Sequence, residues 1–172
     1  MGRLGESDDS RVSARELRVV RRSDLPAPAE TVWSRAVSPE GINHELGPAL
    51  RMTMPRSMKG RTIDDVEVGR ALGRSWILLF GLIPFDYDDI CLVEIERGRR
   101  FLERSSMFSM SLWQHEREVS PVSNASCSVT DRLTFVPRGW IAAFPGGRGL
   151  ARTIVNAIFR HRHRRLRRHF GD

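Results

Sequence analysis

Two periods of apolar residues divide this chain. A helical spacing marks a stretch near its start and its last stretch, and a two-residue alternation runs between them. Glu16 to Arg22 (ELRVVRR), weakly alternating and β-branched, predicts a first strand that Asp24-Leu25-Pro26-Ala27-Pro28 ends. Pro28-Ala29-Glu30 opens a short helix with proline in its first turn and an acid near its N-terminus, and Val32, Trp33, Ala36 and Val37 form its apolar stripe. Ser38-Pro39-Glu40 starts a second short helix in the same way, which runs to about Leu46 before Gly47-Pro48 stops it.

From there to Pro137 the pattern is strand and turn. Ala49 to Met54 is a short strand, and Pro55 to Asp65 is a polar connection. Val66 to Phe80 carries Leu72, Arg74, Trp76, Leu78 and Phe80 on one face. Asp86 to Glu96 and Arg100 to Ser105 pair through a tight turn at Arg97-Gly98, and Met110 to Ser120 pairs with Cys127 to Pro137. The sum is seven strands that can all join as antiparallel neighbours.

The last helix is predicted over Gly147 to Phe170. Leu150, Ala151, Ile154, Val155, Ile158 and Phe159 fill one half of its wheel, while Arg152, Thr153, Asn156 and Arg160 fill the other. Arg162, Arg165 and Arg168 then fall inside the arc that was apolar. The expectation is a helix packed over about three turns, as far as Arg160, that projects beyond as a basic end.

In the last hairpin, a turn at about Pro121 to Ser126 pairs Val119 with Cys127, Arg117 with Val129, His115 with Asp131, and Trp113 with Leu133. The face bearing Val119, Cys127, Val129, Leu133, Trp113 and Phe135 is the apolar one and must look inward, which turns His115, Arg117 and Asp131 inward too. An inward imidazole beside a carboxylate is the arrangement used to fix a tautomer for proton transfer. Such a network can equally exist only to satisfy its own buried polar groups.

Composition narrows the picture. A chain of 172 residues is one domain, expected over residues 15–172 after a disordered segment 1–14. No apolar run approaches the roughly 20 residues that span a bilayer, and the first residues lack a secretory apolar core, so cytoplasmic residence is the expectation. Cys91 and Cys127 sit in apolar strand patterns and suit buried thiols; no metal or cofactor is expected. The formal net charge of +7 is concentrated at one end, since residues 148–172 hold eight Arg against one Asp and the body is balanced. Contact of Arg160 to Arg168 with nucleic acid or anionic membrane stays open, but a solvated helix end is preferred. No phosphate-binding loop, GxSxG elbow or HExxH pair is present, and Gly146-Gly147-Arg148-Gly149 reads as a hinge.

The segment Asp24 to Leu46 (DLPAPAETVWSRAVSPEGINHEL) resembles the opening of the START-related superfamily of lipid-transfer proteins, plant allergen-like ligand binders and polyketide cyclases. There a strand leads into a helix of the pattern that Ala27-Pro28-Ala29-Glu30 and Val32-Trp33 show here, followed by a second short helix. The resemblance implies an α+β helix-grip fold, a seven-stranded curved antiparallel sheet around a long C-terminal helix. It further implies a cavity between them for a small hydrophobic or aromatic molecule. The superfamily has no shared catalytic signature to carry over. The Arg/His-rich helix end and the ionisable residues on cavity-facing strands depart from its commoner pattern.

The leading expectation is a carrier or sensor of such a molecule, with Arg74, Trp76, Tyr87, Arg104, Trp113, Arg117, Phe135, Ile154 and Ile158 as candidate ligand contacts. Arg74 and Arg104 can reach a ligand carboxylate or pair with Asp88, Asp89 or Glu103. The alternative is a cyclase, aromatase or dehydratase with His115 as general base, Asp131 orienting it, and Arg117 or Arg74 holding an oxyanion. His44 and Glu45 read as exposed capping residues near a cavity entrance, and Trp140, Ile141 and Phe144 as an apolar loop that covers it or packs. Ligand identity and oligomeric state are not legible.

Overall fold

The computed structural model describes residues 15–171. Strand β1 (Leu17–Leu25) is followed by helices α1 (Ala29–Ala36) and α2 (Pro39–Leu46), then strands β2 (Leu50–Met52), β3 (Ala71–Leu79), β4 (Ile83–Glu96), β5 (Arg100–Met107), β6 (Met110–Ser123) and β7 (Ser126–Pro137). A short helix α3 (Gly139–Ala142) leads into the long helix α4 (Gly147–Phe170). The strands form one antiparallel sheet in the order β1-β7-β6-β5-β4-β3-β2, curled around α4. Two short helices after the first strand complete the α+β architecture that the apolar pattern implies. The segment 1–14, expected to be disordered, lies outside the described residues.

Local chemistry accounts for the junctions. The Ser38 hydroxyl accepts from Gly41 N at 3.0 Å and Pro39 occupies the first turn of α2. Gly98 takes a φ of 80° in the β4–β5 turn, a conformation that glycine adopts without Cβ strain. The connection after β2 contains two single-turn 3-10 helices, Arg56–Met58 and Ile63–Asp65, the second closed by a reciprocal Thr62–Asp65 box. These turns delay β3 to Ala71, five residues later than the alternation suggests.

Two cores flank the sheet's concave face. One joins Leu25, Val32, Trp33, Phe101, Val119 and Val129 to Leu166 near the end of α4. The other joins Met107, Met110, Leu133 and Phe135 to Ala151, Val155 and Phe159. Packing of α4 therefore does not stop at Arg160. Arg162, His163 and Leu166 are all buried, because carboxylates from α2 and β7 meet the two polar side chains from below.

The β6–β7 hairpin is shifted by two residues from its expected pairing. Val119 faces Val129, Arg117 faces Asp131, His115 faces Leu133 and Trp113 faces Phe135, with a tight turn after Ser123 and a bulge between Pro121 and Ser123. An even shift preserves both faces, so the inward set is unchanged. On β3 the outcome differs. A bulge between Ala71 and Gly73 puts Leu72 and Arg74 on opposite sides, leaving Leu72 and Ser75 buried while Arg74 and Trp76 point outward.

Candidate functional site

Asp131 is fully buried in the middle of β7 and its four nearest donors saturate it. His115 Nε2 at 2.8 Å and Arg117 Nε at 2.7 Å donate to Oδ1; Arg117 Nη2 at 2.7 Å and His163 Nε2 at 2.9 Å donate to Oδ2. Arg117 turns its remaining edge to Glu45 of α2 through bonds of 2.8 and 2.9 Å. Arg162 of α4 reaches the same carboxylate at 3.0 Å. Ser23 of β1 donates to His163 Nδ1 at 2.8 Å and accepts from Arg167 Nη1 at 2.9 Å, which fixes the His163 tautomer. Four elements are thus tied through two carboxylates and two guanidiniums whose formal charges cancel.

Burial would push Asp131 up, but the Arg117 charge and the bonds from Arg117 and His115 hold it well below the usual carboxylate range. Glu45 follows the same logic: burial opposes ionisation, and Arg117 and Arg162 overcome it. Burial opposes the charge of Arg117 in turn, and Asp131 and Glu45 raise its affinity for its proton. The His115 ring is held edge-on by Phe101 and Phe159, with centroids at 5.4 and 5.1 Å. Its second nitrogen, Nδ1, has no hydrogen-bond partner among the described residues.

In front of this network lies a cavity of about 440 Å³ between the sheet, α2, α3 and α4. Its wall is largely aliphatic and aromatic, with Leu46, Met52, Leu72, Ile77, Met107 and Phe159 among the lining. The aromatic residues Phe85, Phe108, Trp140 and Phe144 both line it and are half or more exposed, so they form the rim of its mouth. Polar side chains reach the wall in two places. His115 and Arg162 do so at the buried network; Asp86, Asp88, Glu103 and Ser109 do so on the β4–β5 side.

That second patch has different electrostatics. Asp86 accepts from Tyr87 N at 2.8 Å, from Ser109 N at 3.3 Å and from the Ser109 hydroxyl. Ser105 donates to Glu103 at 2.7 Å. Asp88 is only 4% exposed, and its Oδ1 has no partner. Burial, then the neighbouring Glu103 and Asp86, push its carboxyl well above the usual range.

Of the candidate residues, Trp113, His115, Ile154 and Ile158 line the cavity. Arg117, Asp131 and Phe135 lie behind the wall, fully buried. Arg74, Trp76, Tyr87 and Arg104, expected as candidate ligand contacts, are not among the residues that line it. Arg74 donates to Asp89 at 2.8 and 3.0 Å with its guanidinium 3.9 Å above Tyr87, Trp76 packs edge-on against the same ring, and Arg104 donates to Gln114 at 3.2 Å. Glu45, expected as an exposed cap, is 1% exposed.

Sequence reasoning missed Glu45, Arg162 and His163 as network members, and Asp88 and Glu103 as cavity groups. A signal existed for His163, which continues the Ala151, Val155, Phe159 row at four-residue steps. Asp86 and Asp88 likewise share the face of β4 that ends in Leu92. Glu45 and Arg162 are 117 residues apart and carry no local signal of their pairing.

The family model described as "Domain of unknown function (DUF8410)" matches residues 23–170. A search of curated proteins finds no match. Among solved structures, a protein from Chromobacterium violaceum is 16% identical, covers 92% of this chain and 99% of its own, with a TM-score of 0.65. A START superfamily protein from Mycobacterium smegmatis is 12% identical over 89% of this chain and 96% of its own, at 0.63. The Zhui aromatase/cyclase from Streptomyces sp. R1128 is 14% identical over 88% of this chain and 91% of its own, at 0.62. At these identities the likeness is one of fold, a START-related helix grip.

Proposed function

The chain belongs to the family described as "Domain of unknown function (DUF8410)", and we propose that it binds a small hydrophobic or aromatic molecule in the cavity between its sheet and α4. One observation carries this reading: a cavity of about 440 Å³, mostly apolar, with a rim of exposed aromatic side chains. That size lies within the roughly 300–1,000 Å³ of small-molecule sites, and an apolar wall with few polar groups is their usual chemistry. An exposed apolar rim is costly in water and favours an apolar guest that crosses it. Arg162 and His115 at one end, and Asp88 and Glu103 on the β4–β5 side, supply the polar anchors that would orient the guest.

Catalysis is the second reading, favoured by one observation: His115 Nδ1 has no hydrogen-bond partner among the described residues while Nε2 is pinned to Asp131. A tautomer with its proton on Nε2 presents a free lone pair at Nδ1, which suits proton abstraction beside a bound carbonyl. On this reading His115→Ala abolishes turnover of a bound polyketide-like compound and spares its affinity. Equal turnover by that variant would end it.

Native mass spectrometry of the protein isolated from its own cells, beside a denatured control, tests the binding reading. The expected result is a discrete apolar adduct that Ile158→Trp, which fills the cavity, removes. A clean unliganded mass that persists after adding fatty acids and polycyclic aromatics would overturn it.

A further inference from the structure

The patch on the β4–β5 side is unlike the rest of the interior. At the His115 end every carboxylate is matched by a guanidinium. On the opposite side Asp86, Asp88 and Glu103 line the same cavity, and none of the three makes an ion pair among the described residues.

Asp86 is satisfied as an anion by neutral donors, two backbone N–H groups and the Ser109 hydroxyl. Its negative charge is therefore screened but not cancelled. Asp88 and Glu103 come within hydrogen-bonding reach of each other, with Ser105 donating into the pair. Two carboxyls so close cannot both carry a full charge in an apolar wall unless a cation joins them. In the unliganded protein burial and the neighbouring acids raise the affinity of Asp88 for a proton, which eases the conflict. Asp88 lines the cavity, and its Oδ1 is left with no donor, a lone acceptor in a side chain that is 4% exposed.

The other groups around this patch do not supply the missing charge. Ser75, the β3 neighbour of Asp88, is neutral. Arg74 is on the outer face of the sheet with Asp89. Glu103 is the cross-strand neighbour of His115, which pairs with Asp131 and makes no ion pair with Glu103 among the described residues. Arg162, the cation on the facing helix, is taken by Glu45.

We infer that the Asp88–Glu103 pair is a subsite for the protonated amine of an otherwise apolar or aromatic ligand. An ammonium has N–H donors and no acceptor, the complement of an unpartnered carboxylate oxygen beside a second carboxyl. Its charge meets the uncancelled field of Asp86, and its apolar body fills the wall around Leu72, Ile77 and Met107. A ligand carboxylate or phosphate would meet three acids there and is disfavoured. The inference rests on the cavity reading above and adds the charge class of the ligand.

Three probes that share one ring system test it: naphthylmethylamine, naphthylmethanol and naphthoic acid, titrated calorimetrically at neutral pH. The amine is expected to bind about tenfold or more tighter than the alcohol, and the acid more weakly than either. In Asp88→Asn and Glu103→Gln the ratio of amine to alcohol affinity is expected to fall towards one. The ratio serves as the readout because a general loss of folding would lower both affinities together. Comparable binding of all three probes, tighter binding of the acid, or an amine preference that survives both substitutions would overturn the inference and leave the cavity reading standing. Absence of binding by all three would sink both.

Discussion

Arg117 and Asp131 stand directly opposite each other on β6 and β7, and the guanidinium closes on the carboxylate with two bonds of 2.7 Å. Neither side chain touches solvent. The pair is a hub: through Arg117 it reaches α2 at Glu45, and through Asp131 it reaches α4 at His163 and the cavity wall at His115. Removing one partner strands a buried charge, which typically costs about 3–5 kcal/mol. Asp131→Ala is therefore expected to lower the urea midpoint by that equivalent. The double variant Arg117→Met, Asp131→Leu should lose less than the sum of Arg117→Met and Asp131→Leu measured singly, because the stranded charge disappears. Strict additivity would show that the two residues are energetically independent despite their geometry.

Acid should attack this hub and relieve the other patch. Asp131 and Glu45 are both held below their ordinary values in the fold. For a depressed carboxyl, the unfolded chain takes up protons first as pH falls, so its stabilisation is whole above about pH 4 and is lost through the folded values. Asp88 is shifted the other way. The folded state then holds the extra proton, so its burden is absent in acid and grows as pH rises from the usual carboxylate range through the folded value. Asp88→Asn should accordingly raise the melting temperature at pH 7, by about 2–4 °C, and leave it nearly unchanged at pH 3.5 or so. Denaturation midpoints of wild type and variant across this range check both signs; a variant equally shifted at all pH values would contradict the assignment.

Glycine is required at Gly41 for α2 to sit where it does. A Cβ built on Gly41 would lie 1.9 Å from the backbone oxygen of Arg35, far inside contact distance. Gly41 sits one turn before Glu45 on α2, so relieving that clash moves the helix that carries the carboxylate. Gly41→Ala is expected to destabilise by about 1–3 kcal/mol, the usual cost of overpacking, with a further loss of affinity for whatever the cavity binds. Thermal melting beside a binding titration checks it, and an unchanged melt would show that α1 and α2 separate freely.

Much of the fold was readable because it depends on faces and on punctuation. The inward set of β6 and β7 survives a two-residue error in register, since side chains repeat every two residues and the apolar stripe names the buried face without the turn. Ser38-Pro39 and Gly47-Pro48 bracket α2 with residues whose backbone preferences are local. What escaped reading was nonlocal or locally irregular. The bulge at Gly73 reverses the sides of Leu72 and Arg74, and no alternation count anticipates an inserted residue. His115 and Asp131 were brought together correctly but as a diagonal contact, not as the directly opposed pair the hairpin register suggested. Glu45 looked like a helix-end charge because its partners arrive from a strand and a helix far along the chain.

The end of α4 separates the two descriptions most sharply. Read as sequence, the Arg/His run marks the limit of packing; in the fold, Arg162, His163 and Leu166 are buried and Arg160, Arg164 and Arg168 form the exposed edge. Ending the chain after Arg160 would remove a guanidinium from Glu45, a donor from Asp131 and a fully buried leucine. Each loss is on the order of 1–5 kcal/mol, together comparable to the whole stability of a domain this size. That truncation should yield a chain without cooperative unfolding. Changing Arg160, Arg164 and Arg168 together to serine should instead leave the urea midpoint nearly where it was, since exposed substitutions of this kind are worth about 0.5 kcal/mol or less each. A truncated protein that still melts cooperatively would mean that the helix end is a projecting appendage and that Glu45 and Asp131 are stable without it.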